Sequence, residues 1–276
     1  SPRVIVTLTT IPDRIHYLQD TLVSLQTQTR PPDEIVINVP MYSRRFRDEQ
    51  QEHLRYSIPD WLAQLGVEVD GGHGDIAHPP AAHGWTADEQ SDLGVSGYGN
   101  SGNLRPGAQL TDDTSSLRAT YPPVACMGAT IVINRIRTDH GPASKFIPTL
   151  NRELRAGRWD SLIVVADDDV QYPRDWLANL LDFHDAHPEY RGSALGMRGY
   201  CAVPGNLWDW RVISQVVSRA DELQQPYQVD VLTANNGLLI KPYFFLRHPI
   251  DITAAAPRSA YYMDDIWLNG VLAANN

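Results

Sequence analysis

Residues 162–173, Leu-Ile-Val-Val-Ala-Asp-Asp-Asp-Val-Gln-Tyr-Pro, limit the possible folds more than any other stretch of the chain. A short, wholly apolar run, Leu162–Ala166, ends abruptly in three carboxylates, and Pro173 then opens a helix. An apolar run of that length bounded by a breaker reads as a strand buried on both faces, the kind found inside a parallel sheet. Three adjacent carboxylates repel one another unless water or a cation neutralises them. Mg²⁺ and Mn²⁺ take oxygen ligands and are held by one or two carboxylates plus substrate phosphates. Open α/β sheets bind ligands beyond the carboxyl ends of their strands. Two readings of the triplet stand side by side: a metal-bridged phosphate site at Asp167 and Asp169, or an acidic surface turn.

The flanking sequence supplies the rest of such a sheet. Val4–Leu8 is a buried strand, and Thr9-Thr10-Ile11-Pro12-Asp13-Arg14 turns the chain. Ile15, Leu18, Leu22 and Leu25 follow at helical spacing with Asp13 as N-cap, and Glu34–Val39 is a second strand. This strand–helix–strand unit has a crossover long enough for parallel pairing. The polar Thr9–Arg14 loop then lies where a nucleotide would bind, or is an ordinary turn. Residues 44–64 are charged and read as partly helical, and 66–69 as a short strand. Residues 129–133 form another strand, and a Gly-Pro-Ala-Ser-Lys turn at 141–145 leads into a helix through Leu150 and Leu154. A helix over 173–187 with Pro173 in its first turn, short strands at 194–197, 229–232 and 237–240, and a final helix opened by Asp264 and Asp265 complete the pattern. For that last acid pair, simple capping of the helix dipole is the plain alternative. The fold class expected is α/β: a Rossmann-like, mostly parallel mixed sheet flanked by helices, in one domain over 1–276. Its nucleotide-binding half spans about 1–170 and its acceptor half about 171–276, with a long loop insertion at about 70–120.

That insertion is rich in Gly, Ser, Asp, His and Pro and has no periodicity. Gly97-Tyr98-Gly99-Asn100-Ser101-Gly102 within it matches the dinucleotide fingerprint, but no strand precedes it and no helix follows, so the match lacks its context. His73, His78 and His83 sit in the same Gly/Pro-rich loop and read as solvated side chains.

The net charge of −10 argues against a nucleic-acid or anionic-membrane binder, which needs a basic face. It does not exclude a nucleotide brought in by a metal ion. The two cysteines, Cys126 and Cys201, could pair, but form neither a disulfide framework nor a zinc pattern. No apolar run reaches the length of a membrane span. There is no Asn-x-Ser/Thr acceptor, so the cytoplasm is favoured and the Golgi lumen left open. The chain opens on Ser1, as one domain of a larger protein would.

Taken in order, the Thr-Thr turn, Thr-Arg-Pro-Pro-Asp-Glu-Ile-Val-Ile at 29–37, Gly-Pro-Ala-Ser-Lys at 141–145, Asp-Asp-Asp at 167–169 and Asp-Asp-x-Trp-Leu at 264–268 resemble the GT-A glycosyltransferases of the family 2-like kind. The resemblance covers nearly the whole chain outside the insertion. It implies a metal-dependent, inverting transfer of a sugar from a nucleotide diphosphate sugar, UDP-sugar favoured, to a glycan or other hydroxyl acceptor. It implies that Asp167–Asp169 is the D-x-D motif, with Asp169 and Asp167 on Mn²⁺ or Mg²⁺ and Asp167 and Asp168 serving the ribose or a second metal contact. Thr9, Arg14, Asn38 and Lys145 would complete the nucleotide pocket. Asp265 would be the general base with Asp264 its rival, and Trp208, Asp209, Trp210, Asn235 and Asn236 would face the acceptor. Many members carry a histidine after the acid pair. Residues 270–276 have none, which leaves the third metal position to water, to His248, or to residues beyond this chain. The alternatives are a nucleotidyltransferase, against which the Thr9–Arg14 loop has no glycine, and a non-catalytic nucleotide-sugar or glycan-binding domain, which needs no late acid pair.

Overall fold

The computed structural model describes residues 2–47, 53–70, 128–201, 217–219, 225–247 and 261–275. The chain divides into two units: Ser1–Asp75 with Val124–Asn276, which holds every element named below, and Ile76–Pro123, which lies outside the described residues together with the two motifs of the insertion.

The elements run β1 (Val4–Thr9), α1 (Leu18–Gln26), β2 (Glu34–Pro40), β3 (Tyr42–Arg47), β4 (His53–Arg55), α2 (Asp60–Leu65), β5 (Val67–Asp70) and β6 (Thr130–Ile136). They continue with α3 (Ile147–Arg155), β7 (Leu162–Val165), α4 (Trp176–Ala186), β8 (Leu195–Gly196), β9 (Arg198–Tyr200), β10 (Val217–Arg219), β11 (Val231–Leu232), β12 (Leu238–Ile240) and α5 (Asp264–Asn275). Seven strands form the main sheet in the order β5-β6-β2-β1-β7-β12-β8. The first five are parallel, and β12 runs antiparallel to both β7 and β8. The fold is therefore α/β, with a mostly parallel mixed sheet between helices. Because β8 and β12 join the strands before residue 170 in one sheet, the two expected halves share a single framework.

Alternation along the strands sorts the core into two faces, since successive side chains point to opposite sides. Val4, Val6 and Leu8 of β1, with Leu162 and Val164 of β7, pack against Leu18, Leu22 and Leu25 of α1, Leu62 of α2 and Trp176, Leu177, Leu180 and Leu181 of α4. Ile163 and Val165 face the other way, onto Phe146, Ile147 and Leu150 at α3, Phe244 and Phe245, and Leu268 of α5. All four side chains of β7 are buried, as the apolar run requires. Each contributes about 1.5–3 kcal/mol on burial, which fixes where the following acids emerge.

Several local expectations are corrected. Asp13 caps nothing: a 3-10 turn at Ile15–Tyr17 intervenes, and α1 starts at Leu18 without a side-chain cap. Pro173 lies ahead of α4 rather than in its first turn, its carbonyl accepting from the Trp176 amide. The charged stretch 44–64 is helical in part, as expected, at α2, and its described residues also include the paired strands β3 and β4. Cys201 is a free thiol, and Cys126, with which it could pair, lies outside the described residues.

Candidate functional site

β1 leads to β2 on one side and lies beside β7 on the other, so the strand order switches direction between β1 and β7. In doubly wound sheets that switch point, at the carboxyl ends, is where the crevice forms. Thr9 ends β1 there, and Asp167, Asp168 and Asp169 follow β7.

The cations expected beside the acids are present in the chain itself. Arg14, held by its amide on the Ile11 carbonyl, places Nη1 2.6 Å from Asp169 Oδ2 and Nη2 3.0 Å from Asp168 Oδ1. Lys145, at the end of a 3-10 turn over Gly141–Lys145, places Nζ 3.2 Å from Asp167 Oδ1 and 3.1 Å from Asp264 Oδ2. One buried lysine thus joins the triplet to the late acid pair. Among the described residues, two cations face five carboxyl groups, so the acids outnumber their basic partners there.

These surroundings set the protonation of the groups. Burial alone would push the Lys145 ammonium down, but the charges of Asp264, Asp167 and Asp265 hold it well above its usual range. Burial raises the Asp168 carboxyl, while Thr10 and Arg14 pull it back. Asp265, whose Oδ1 accepts from the Ala234 amide at 3.1 Å, is pushed up to about 7, first by burial and then by the charge of Asp264. Burial and the Asp167 charge also raise the Tyr172 phenol, whose oxygen accepts from the Asp167 amide at 2.8 Å.

Thr9 is at the site, its hydroxyl donating to the Asn38 carbonyl at 2.7 Å. Asn38 is corrected: its residue is 0% exposed, and its amide group serves the framework. Nδ2 donates to Thr7 Oγ1 at 3.1 Å, Thr149 Oγ1 at 3.1 Å and the Lys145 carbonyl at 3.3 Å, and Oδ1 accepts from Asn134 at 2.7 Å. Thr7 adds bonds to the Lys145 carbonyl at 2.6 Å and to Thr149 at 2.7 Å. The buried network of Thr7, Asn38, Asn134 and Thr149 pins the turn that carries Lys145, a role the sequence reading missed. Its only signal was polar residues interrupting otherwise apolar strands.

Asn235 and Asn236 lie in a 3-10 turn at Ala234–Asn236, the same turn whose Ala234 amide reaches Asp265. Asn235 is engaged by the Thr233 hydroxyl at 2.9 Å, and the Asn236 carbonyl accepts from the Trp176 indole at 2.7 Å. Trp208, Asp209, Trp210 and His248 lie outside the described residues. Among the described residues, no three His, Cys, Asp or Glu side chains converge as a metal cage. The donors on offer are Asp169, whose side chain is 55% exposed, and Asp167. One or two carboxylates is the share Mg²⁺ or Mn²⁺ takes from a protein when phosphates and water supply the rest, so this donor set fits such an ion. A separate cavity of about 450 Å³, lined by Met41, Tyr42, Arg55, Glu68 and Arg135, includes none of these acids. Neither the protein-family models nor the curated proteins compared with the chain match it. No helix among the described residues is long and apolar enough to cross a membrane.

Proposed function

We propose that the chain is a metal-dependent, inverting glycosyltransferase of the GT-A kind, moving a sugar from a nucleotide diphosphate sugar to a hydroxyl of a glycan or similar acceptor. The observation that carries this reading is the convergence of two carboxylate groups, distant in sequence, on one buried lysine beside the β1–β7 crevice. Asp169 and Asp167 would hold Mn²⁺ or Mg²⁺, which when bound stabilises the negative charge building on the leaving diphosphate. Thr9, Arg14 and Lys145 surround the position of the nucleotide, and a UDP-sugar is the favoured donor by resemblance alone.

Asp265 suits the base. It lies beside the Ala234–Asn236 turn, and its carboxyl, pushed up to about 7, is about half ionised at neutral pH and basic enough to take a hydroxyl proton. Its carboxylate accepts the acceptor's proton as the new C–O bond forms and the bond to the diphosphate oxygen breaks, inverting the anomeric carbon. Asp264 is buried and paired with Lys145, which favours an electrostatic role for it over a base. The exposed side of Asn236, next to the Ala234 turn, suits acceptor contact. No observation favours nucleotidyl transfer.

The test is release of nucleoside diphosphate from a panel of nucleotide sugars with Mn²⁺ and candidate acceptors. Turnover is expected with at least one donor, rising with pH through about 7 and falling roughly 10²–10⁴-fold in Asp265→Asn with donor affinity retained. Donor binding that depends on Asp169, without turnover under any condition, would leave the non-catalytic binding domain as the correct reading.

A further inference from the structure

Of the two cations at the acids, one is built in and one is not. Lys145 is 10% exposed at its side chain, sits between two carboxylates, and hangs from a turn pinned by four buried polar side chains. Arg14 has a firmly held backbone, its amide on the Ile11 carbonyl at 3.0 Å and its carbonyl taking the Tyr17 amide at 2.8 Å. Its long side chain, however, is 42% exposed. Asp168 beneath it is buried: its side chain is 4% exposed and its carbonyl accepts from the Thr21 hydroxyl at 2.9 Å. Asp169 turns outward and gives its Oδ2 to Arg14.

That oxygen is also one the proposed metal would use. A hard cation bonds carboxylate oxygen at about 2.0–2.1 Å. A guanidinium already 2.6 Å from the same oxygen would then face a doubly charged ion at close range. The arm to Asp169, with side chains 42% and 55% exposed, is a weak ion pair, so the guanidinium can give up that oxygen. Resting on the metal reading above, we propose that Arg14 is a displaceable counter-ion. A divalent cation and the Arg14 guanidinium compete for Asp169, and the arriving cation releases Arg14 toward the diphosphate. Without ligand, Arg14 keeps the triplet from repelling itself; with ligand, the same charge serves the phosphates.

Mn²⁺ binding without nucleotide, followed by the electron paramagnetic resonance signal of free Mn²⁺, tests this directly. Wild type is compared with Arg14→Gln, Arg14→Lys and Asp169→Asn, each first without and then with uridine diphosphate. Arg14→Gln is expected to bind Mn²⁺ about five- to tenfold tighter than wild type. Arg14→Lys, which keeps the charge but cannot span two carboxylates, falls between them. Uridine diphosphate should tighten Mn²⁺ binding more in wild type than in Arg14→Gln. Mn²⁺ binding that Asp169→Asn abolishes but Arg14→Gln leaves unchanged or weakens overturns the counter-ion proposal and spares the metal reading. An Arg14→Lys protein identical to wild type overturns it too, since net charge alone would then explain the effect. Absence of any Mn²⁺ binding that depends on Asp169 overturns both.

Discussion

Lys145 keeps its charge in a place that would ordinarily strip it. Replacing it with methionine leaves Asp167, Asp264 and Asp265 without their shared partner, and a buried charge stranded in this way costs about 3–5 kcal/mol. The loss in Lys145→Met is expected in full at pH 8 and to shrink toward pH 5 as the stranded acids take up protons, read by urea denaturation at each pH. Asp265 carries the opposite linkage. Its folded-state value, about 7, lies above its ordinary 3.8, so the folded protein binds more protons and stability falls as pH rises between those values. Asp265→Asn should therefore stabilise the protein by about 1–3 kcal/mol at pH 8 and have little effect at pH 4. Equal stability changes at both pH values would contradict the raised value. At this scale the sequence was informative about acids and poor about neutral polar groups. Three adjacent aspartates announce a problem of charge wherever they fold. Asn38 announces nothing, because whether an asparagine at a strand end faces a ligand or a buried threonine depends on its neighbours in space. Asn38→Leu, which strands Thr7, Asn134 and Thr149, is expected to cost about 1–3 kcal/mol per polar group left unpaired, again by denaturation.

Elements were legible where burial wrote its period into the chain. β1, β2, β6 and β7 are runs that are apolar because both faces are covered, and each lies close to its expected position. The β3–β4 hairpin was not legible, since its arginine-rich sequence has no alternation to give it away. Short turns matter most for the site and leave the faintest trace. Gly237 has φ +109°, and a Cβ there would lie 2.8 Å from the Trp176 ring, whose indole donates to the Asn236 carbonyl. Gly237→Ala should cost more than about 1 kcal/mol from the backbone strain alone. It should also loosen the Ala234 turn that steadies Asp265, so turnover falls along with stability. A destabilised variant with unaltered turnover per folded molecule would separate the turn from the site.

Over the whole molecule, an overall charge of −10 and a local excess of carboxylates leave the protein able to gain from a cation. Mn²⁺ at about a hundred times its dissociation constant is expected to add roughly 2.7 kcal/mol of stability by mass action. This would appear as a rise in melting temperature that Asp169→Asn abolishes. A rise of equal size in that variant would mean non-specific screening. The parallel sheet could be inferred from sequence because its strands are continuous in the chain. The pairing of the triplet with the C-terminal acids could not, because it depends on α5 packing Leu268 onto the face of β7 that carries Ile163 and Val165.

The same lysine bridge has a consequence for biogenesis. Arg14, Asp168 and Asp169 can meet once β7 has emerged from the ribosome, but Asp264 follows nearly a hundred residues later. Contacts of such separation form slowly, and domains assemble as synthesis proceeds from the N-terminus. A nascent chain would therefore hold its half-built acid cluster with Lys145 tied only to Asp167, and would gain Asp264 and Asp265 last, when the helix at Asp264–Asn275 docks.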